Sequence, residues 1–548
     1  VLRTGAGLVA AAALLLLFRL GATDLWAPDE PRYAEVAEEI RSFEHGPAGL
    51  VLLHVGGAPY TQKPPLYYWL AALAGAAGGR VTEVAARLPS ALSGIALVAL
   101  TLAFGRSLFP ASPAAGPWSA LVLLGVHRFV HLARRAQLDV LLALCEALAL
   151  LAFWRLDRGR GSRRGNAAAL HGALGLAVLV KGPVGLLPLA VAAAYLAWER
   201  RLGRLRDACP PWAWLLSLGP GLAWLAGAVA LAPNGFFDAA VVDNLLGRFF
   251  AGTSHVRPFY YFAYQFPLDF LPWTLLWPLA WGAARRGLRA APERAAPWRF
   301  LLSWLGVFLV FFSLSAGKRG LYLLPAFPAA ALLCGAAVDE ALGEQPRLPR
   351  WLGIALAVPG ALLFAGGLWI LASGGVAPKP GSSFRLPAEV GAAWSAAVAV
   401  AAVACWALRS RPARVRLAVV ATAWLLCQLV LFAQVYPLLD PEKSPRPIAR
   451  AAARLAGPGG AIGLFEHGTL APGLLYYGRR PVVPLLDPEG VRRFVDSGGR
   501  VIVARRERVG ELATAGDFEV RASVRSGRRE LLALVPKSAP PTQVGPSP

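Results

Sequence analysis

Two adjacent carboxylates, Asp29 and Glu30, stand in the run Trp26-Ala-Pro-Asp-Glu-Pro-Arg32-Tyr33. Acid and proline are both favoured in the first turn of a helix, so Asp29 could simply cap the helix that follows. The same carboxylate could also take a proton from an attacking hydroxyl, and the two roles do not exclude each other. Further on, Thr61-Gln62-Lys63-Pro64-Pro65 places a lysine at the mouth of an aromatic segment, Leu66-Tyr67-Tyr68-Trp69. A cation beside an aromatic belt is often only snorkelling. Lysine, however, is scarce in this arginine-rich chain, and a compact ammonium suits a phosphate as a point charge.

Asp139 follows Arg134-Arg135-Ala-Gln-Leu at the edge of an apolar run. A carboxylate inside a membrane segment is a functional candidate by default; the competing reading is an ion pair with Arg134 or Arg135. Lys318 and Arg319, with Tyr322 three residues on, form a second cationic turn, and His255 and Arg257 lie in the loop that follows Leu245-Leu-Gly-Arg-Phe-Phe250. His127 and His131 are one helical turn apart and could chelate a metal, although no third ligand has matching spacing. Cations at a lipid surface suit a phosphorylated lipid, and a carboxylate suits a general base. Sugar transfer from a prenyl phosphate needs both.

What must position these groups is a membrane. Of the 548 residues, 56% are hydrophobic and only 16% charged, with a mean hydropathy of +0.51, which makes lipid the solvent of this chain. The net charge of +23 sits in short clusters between apolar runs, a pattern of topology rather than of nucleic-acid binding. At about 20 residues per span, apolar segments fall near 7–24, 88–107, 115–133, 137–154, 166–181, 183–198, 212–232, 265–283, 298–315, 320–338, 351–372, 391–408 and 415–434. Arginine-rich loops at 155–164, 200–206, 285–299, 347–350 and 409–416 alternate correctly for about thirteen spans if they face the cytoplasm. The shorter apolar stretch 66–77 would invert every later loop if it crossed, so it is expected to lie at the interface or to re-enter. Residues 31–43 read as a second, amphipathic interfacial helix. With this parity Asp29, Glu30, Arg32, Lys63, Asp139, His255, Lys318 and Arg319 all arrive at the outer face.

The expected fold class is therefore an all-α polytopic membrane protein with interfacial helices. After Asp440 short β-type runs alternate with helices, which predicts a small C-terminal α/β soluble domain. The divisions are 1–435 for the membrane domain, 436–536 for the α/β domain and 537–548 for a disordered tail. Five cysteines without CxxC or metal-ligand spacing predict no disulfide framework.

Taken in order, Asp29-Glu30-x-Arg32-Tyr33-Ala-Glu35, Lys63-Pro-Pro-Leu-Tyr-Tyr-Trp69, Arg135-x-Gln-Leu-Asp139, Leu245-Leu-Gly-Arg-Phe-Phe250 with Ser254-His-x-Arg-Pro258, and Lys318-Arg-x-Leu-Tyr-Leu-Leu-Pro325 resemble the polyprenyl-phosphate-dependent GT-C glycosyltransferases of the protein O-mannosyltransferase superfamily. The branch of lipid A aminoarabinose transferases is the most similar, and the resemblance covers about residues 1–435. It implies a GT-C fold and an outer-leaflet site with two catalytic acids, here Asp29 and Asp139. It also implies a donor-phosphate-binding lysine, Lys63, helped by Arg32, Lys318, Arg319 and Tyr322. Glu30, Gln62, His255 and Arg257 are further site candidates. Members of this branch often carry a glutamate where this chain has Gln62, which bears on any divalent metal; no cofactor is otherwise implied.

The function so read is transfer of a sugar from a polyprenyl (undecaprenyl) phosphate to a lipid A, glycan or protein acceptor, with inversion. It would take place at the periplasmic face of a bacterial inner membrane, with membrane lipids and no nucleic acid as partners. A lipid-carrier flippase or transporter would instead place paired acids at mid-membrane in two related halves. A ligase or polymerase using a diphosphate carrier would be expected to show a larger cationic cluster in one outer loop.

Overall fold

A computed structural model describes residues 2–251, 255–342, 350–377, 385–465, 468–526 and 529–537. The tail expected at 537–548 lies outside the described residues from 538 onward, as does Arg347.

Each of the thirteen apolar segments is helical. Those used below are α1 (Leu2–Leu17), α4 (Glu83–Leu108), α5 (Ala115–Gly125), α6 (His127–Ala133), α7 (Leu138–Asp157), α8 (Arg163–Lys181), α9 (Leu187–Trp198), α10 (Trp214–Leu231), α11 (Tyr261–Asp269), α12 (Trp277–Leu288), α13 (Pro292–Leu314), α14 (Phe327–Leu342), α15 (Arg350–Ala372), α16 (Ala388–Ala407) and α17 (Ala413–Val430). Among the described residues eight helical stretches are long and apolar enough to span, or nine if α6 and α7, bent by 109° to one another, count together. One of the eight runs from Arg163 to Trp198, but it does not run straight. A Cβ on Gly185 would lie 2.5 Å from the carbonyl carbon of Ala177, whereas eight residues of straight helix would separate them by about 12 Å. The chain reverses at Gly182, whose φ of +69° few other residues tolerate. The exact number of crossings therefore depends on how the short and broken helices are counted.

Two helices lie outside the bundle where interfacial helices were expected: α2 (Asp29–Ser42) and α3 (Leu66–Ala76). They pack on each other through Tyr33, Tyr67 and Tyr68. The carbonyls left unbonded at the end of α1 are taken by two buried arginines from neighbouring helices. Arg87 of α4 donates to Leu20 and Thr23 at 2.9 Å and to Asp24 at 2.6 Å, and Arg134 donates to Leu15 and to Phe18. These bonds fix where the chain leaves the first span and enters α2.

The C-terminal region is a five-stranded sheet in the order β4-β3-β5-β7-β6, with β3 (Ile462–Phe465), β4 (Val482–Leu485), β5 (Val501–Arg505), β6 (Phe518–Ser526) and β7 (Arg529–Pro536); β1 (His54–Val55) and β2 (Ala58–Pro59) form a separate small hairpin. The strands β3, β4 and β5 are parallel, and β7 and β6 close the sheet antiparallel. Two helices of this region, α18 (Arg446–Ala456) and α19 (Ala471–Gly478), share one apolar core with α2 and α3, built from residues such as Tyr33, Tyr68, Ile448 and Leu474. All five cysteines are free.

Candidate functional site

Asp29 opens α2 but does not cap it: the N-cap is Pro28, without a side-chain bond. Its carboxylate instead accepts from Arg32 Nη2 at 2.5 Å and from Arg319 Nη2 at 3.0 Å. Burial pushes the carboxyl up, but Arg32, Arg319 and Arg135 together hold it below the usual range. Asp29 is therefore ionised at neutral pH and half-buried between guanidinium groups.

Asp139 opens α7 in the same way, 2% exposed. It accepts from Gln137 Nε2 at 2.6 Å and is paired with Lys181 at the end of α8. The Lys181 ammonium also lies 4.4 Å from the ring centre of Tyr322. Arg319 bonds Asp29, and its carbonyl accepts from the backbone of Tyr322, whose ring faces Lys181, so contacts run from one acid to the other. The termini of α2, α7 and α8 and the turn before Gly320 thus deliver Asp29, Arg32, Asp139, Lys181, Arg319 and Tyr322 to one place.

Lys63 stands on the half-buried segment between Tyr60 and α3. That segment is tied down at both sides. Tyr60 and Tyr68 share a hydroxyl hydrogen bond of 3.0 Å, and both rings belong to the group that surrounds Arg32. Thr61 Oγ1 accepts from Asn244 at 3.3 Å. Gln62 shares this segment, next to Lys63.

Other candidates stand differently. Glu30, 1% exposed, faces away from Asp29 and accepts from Arg87 at 2.9 Å, from Arg135 at 3.0 Å and from the backbone of Trp26 and Ala136. Burial alone would raise its carboxyl, yet Arg135 and Arg87 draw it down to about 2. It is a buried brace. Lys318, expected on the phosphate, is 4% exposed and spends its ammonium on the carbonyls of Arg257, at 3.1 Å, and Ser315. Its backbone N–H donates to the carbonyl of His255, so it ties the 255–258 loop to the 315–319 turn, and burial lowers it below the ordinary lysine value. His255 and Arg257 are exposed, with the Arg257 guanidinium 6.0 Å from the ring of Tyr261. His127 and His131 both turn to the hydroxyl of Tyr436, at 3.4 and 2.9 Å. Among the described residues metal-ligand proximity is met only by Glu39, Glu44 and His45, with ligand atoms within 4.8 Å of one another. There Glu39 already bonds His45 and the backbone of Gly56.

In the sequence Lys181 is only the last residue of the apolar segment 166–181, yet it supplies the direct partner of Asp139. The Asp139–Arg134/Arg135 pairing weighed as an alternative is not what forms: Arg134 caps α1 and Arg135 goes to Glu30. Glu146 was also missed. It lies two turns below Asp139 on the same face of α7, fully buried, with neither oxygen hydrogen-bonded.

A family model described as dolichyl-phosphate-mannose-protein mannosyltransferase matches residues 1–237. The undecaprenyl phosphate-alpha-4-amino-4-deoxy-L-arabinose arabinosyl transferase 2 of Pseudomonas fluorescens is 32% identical over 349 residues, which is 63% of this chain and 58% of that relative. The chain thus matches less than two thirds of the length of this curated relative. The structure of ArnT from Cupriavidus metallidurans bound to undecaprenyl phosphate superimposes with a TM-score of 0.79 at 25% identity, covering 98% of this chain and 99% of the other. The archaeal oligosaccharyltransferase AglB from Archaeoglobus fulgidus, at 13% identity and a TM-score of 0.51 over 94% and 72% of the two chains, shares the fold.

Proposed function

We propose, from the premise that this chain belongs to the GT-C polyprenyl-phosphate glycosyltransferases, that it transfers a sugar from an undecaprenyl-type phosphate carrier to a lipid, glycan or protein acceptor. The reaction would take place at the periplasmic face of a bacterial inner membrane, with residues 1–435 as the transferase unit and 436–536 as a small outer domain. The observation that carries this reading is a chain of contacts, Asp29 to Arg319 at 3.0 Å, Arg319 to Tyr322 through the backbone, Tyr322 to Lys181 and Lys181 to Asp139. Acids and cations alternate over one patch at the outer ends of the spans, as a phosphate leaving group and an attacking hydroxyl require together.

In the single displacement so proposed, the acceptor oxygen bonds to the anomeric carbon as the bond from that carbon to the phosphate oxygen breaks. The electron pair leaves with the polyprenyl phosphate. Asp29, ionised by its two arginines, takes the hydroxyl proton late, when the attacking oxygen has become acidic. Lys63 and Arg32 meet the charge gathering on the leaving phosphate. Asp139 fixes Lys181 and, through it, the face of Tyr322.

Asp29→Asn keeps size and hydrogen bonding but removes basicity, so single-turnover transfer in nanodiscs should fall by about 10² to 10⁴ while prenyl-phosphate donor still binds. Lys63→Ala should weaken both donor binding and turnover. Full turnover in Asp29→Asn would remove it from the chemistry.

A further inference from the structure

On another side of the bundle α1 and α17 leave an apolar groove between them, floored by α5. Leu8, Leu15, Trp118, Ala418, Leu425 and Leu429 are among its walls, and it encloses about 840 Å³. Leu14 and Leu426 stand at its rim, 55% and 51% exposed. From Arg414 to Leu429 it follows sixteen residues of α17, roughly 22 Å from first to last. That exceeds the roughly 15 Å hydrocarbon depth of one leaflet, so an acyl chain fits along it.

About one turn beyond its outer end, the same two helices lead to a different surface. Arg19, Arg87, Arg134 and Arg135 line a small pocket with Trp26, Phe432 and Tyr436, and the one carboxylate there is Glu30. Four guanidinium groups against one carboxylate leave three positive charges in excess. Glu30 is already held by Arg87 and Arg135. Among the described residues neither Arg19 nor Arg134 forms an ion pair with a carboxylate; Arg134, 8% exposed, meets only carbonyls and the ring of Phe432, 5.1 Å away. A buried cation without a counter-ion is costly. Trp26 stacks on Tyr436 at 5.6 Å, the kind of aromatic pair that marks headgroup depth.

We propose that the groove and the arginine pocket together bind one anionic membrane lipid. Its acyl chain lies between α1 and α17, and its phosphate lies at the mouth of the pocket over Arg19. The pocket itself holds about 20 Å³, room for roughly one water, so the phosphate stays at the mouth and is drawn by Arg134 and Arg135 from behind. Asp29, Lys63 and Asp139 do not line this site, although Arg135 behind its mouth also acts on Asp29.

The test is native mass spectrometry of the full chain in detergent with added phosphatidylglycerol, phosphatidylcholine or inorganic phosphate. One phosphatidylglycerol per chain should be retained several-fold better than phosphatidylcholine. Arg19→Gln, at an exposed position, should weaken that retention about fivefold, and Ala418→Trp should abolish it by filling the groove while leaving every charge in place. Equal retention of the two lipids, unchanged retention in both variants, or displacement of the lipid by inorganic phosphate alone would overturn the proposal. No sugar transfer is measured, so neither outcome bears on the proposed activity.

Discussion

Adjacent in sequence, Asp29 and Glu30 should respond to amide substitution in opposite ways. Glu30→Gln removes the one carboxylate that Arg87 and Arg135 share at 2.9 and 3.0 Å. Holding that carboxyl at about 2 rather than 4.5 corresponds to about 3 kcal/mol of preference for the ionised form. Two buried guanidinium groups left without a counter-charge place the total loss at about 3 to 5 kcal/mol. The sign follows from the depressed value. The contribution is complete above pH 4.5 and is lost as pH falls toward 2, so at pH 7 the whole of it is removed by the substitution. Measured as the midpoint of heat-induced loss of the monodisperse peak in detergent, Glu30→Gln should fall by several degrees. The fraction that remains folded should turn over within a few-fold of the parent. Asp29→Asn should show the reverse, a near-parental midpoint with turnover lost. An unchanged midpoint in Glu30→Gln, or turnover lost in that variant while Asp29→Asn stays active, would refute the division of labour between brace and base.

Lys181→Ala should abolish transfer and destabilise the chain by leaving Asp139 unpaired, and the double variant with Asp139→Ala should be more stable than Lys181→Ala alone, as heat midpoints of the set would show. Lys318→Ala should lower the heat midpoint while donor affinity stays within about two-fold, because that ammonium bonds loop carbonyls; a large loss of affinity measured by donor titration would return it to the phosphate site. Glu35 is pushed up to about 8 by burial and by Glu39, Glu38 and Glu44, so the folded chain keeps a proton there that the unfolded chain releases, and stability is lost as pH rises from about 4.5 to 8. Glu35→Gln should therefore raise the heat midpoint at pH 8 and leave it unchanged at pH 4. A membrane-impermeant thiol reagent applied from the periplasmic side should label cysteines introduced at Gly49 and Ala513 but not at Arg160 or Arg286, and outside labelling of Arg160 would sink the topology.

The sequence made the membrane helices legible because twenty-residue apolar runs and arginine parity are both local signals. The interfacial helices came from the same parity, since a crossing at 66–77 would have inverted every later loop. Positions were legible where topology alone decides them, which is why Asp29, Asp139 and Arg319 were expected on one face. Partners were not. Arg134 and Arg135 lie closest to Asp139 in sequence, but the bend between α6 and α7 turns them toward α1 and Glu30, and the ammonium that pairs with Asp139 comes from residue 181. A signal for it did exist: Lys181 is one of six lysines in an arginine-rich chain, the argument that singled out Lys63. The burial of Lys318 could not be read in advance, because it depends on His255 and Arg257 folding back over the 315–319 turn.

The exit from the first span is pinned to the far end of the chain. The backbone of Asp24 donates to the carboxylate of Asp440, 416 residues away, the backbone of Leu25 donates to the hydroxyl of Tyr477, and Arg446 pairs with Asp24 and Glu83. During synthesis at about 5 to 20 residues per second, roughly 20 to 80 s pass between the emergence of Asp24 and that of its partners. For that interval the exit from α1 is held by the Arg87 and Arg134 bonds without these distant ties. A chain ending near residue 435 would lack these ties to Asp24 and Leu25 while keeping Arg32 and Arg319 on the Asp29 carboxylate.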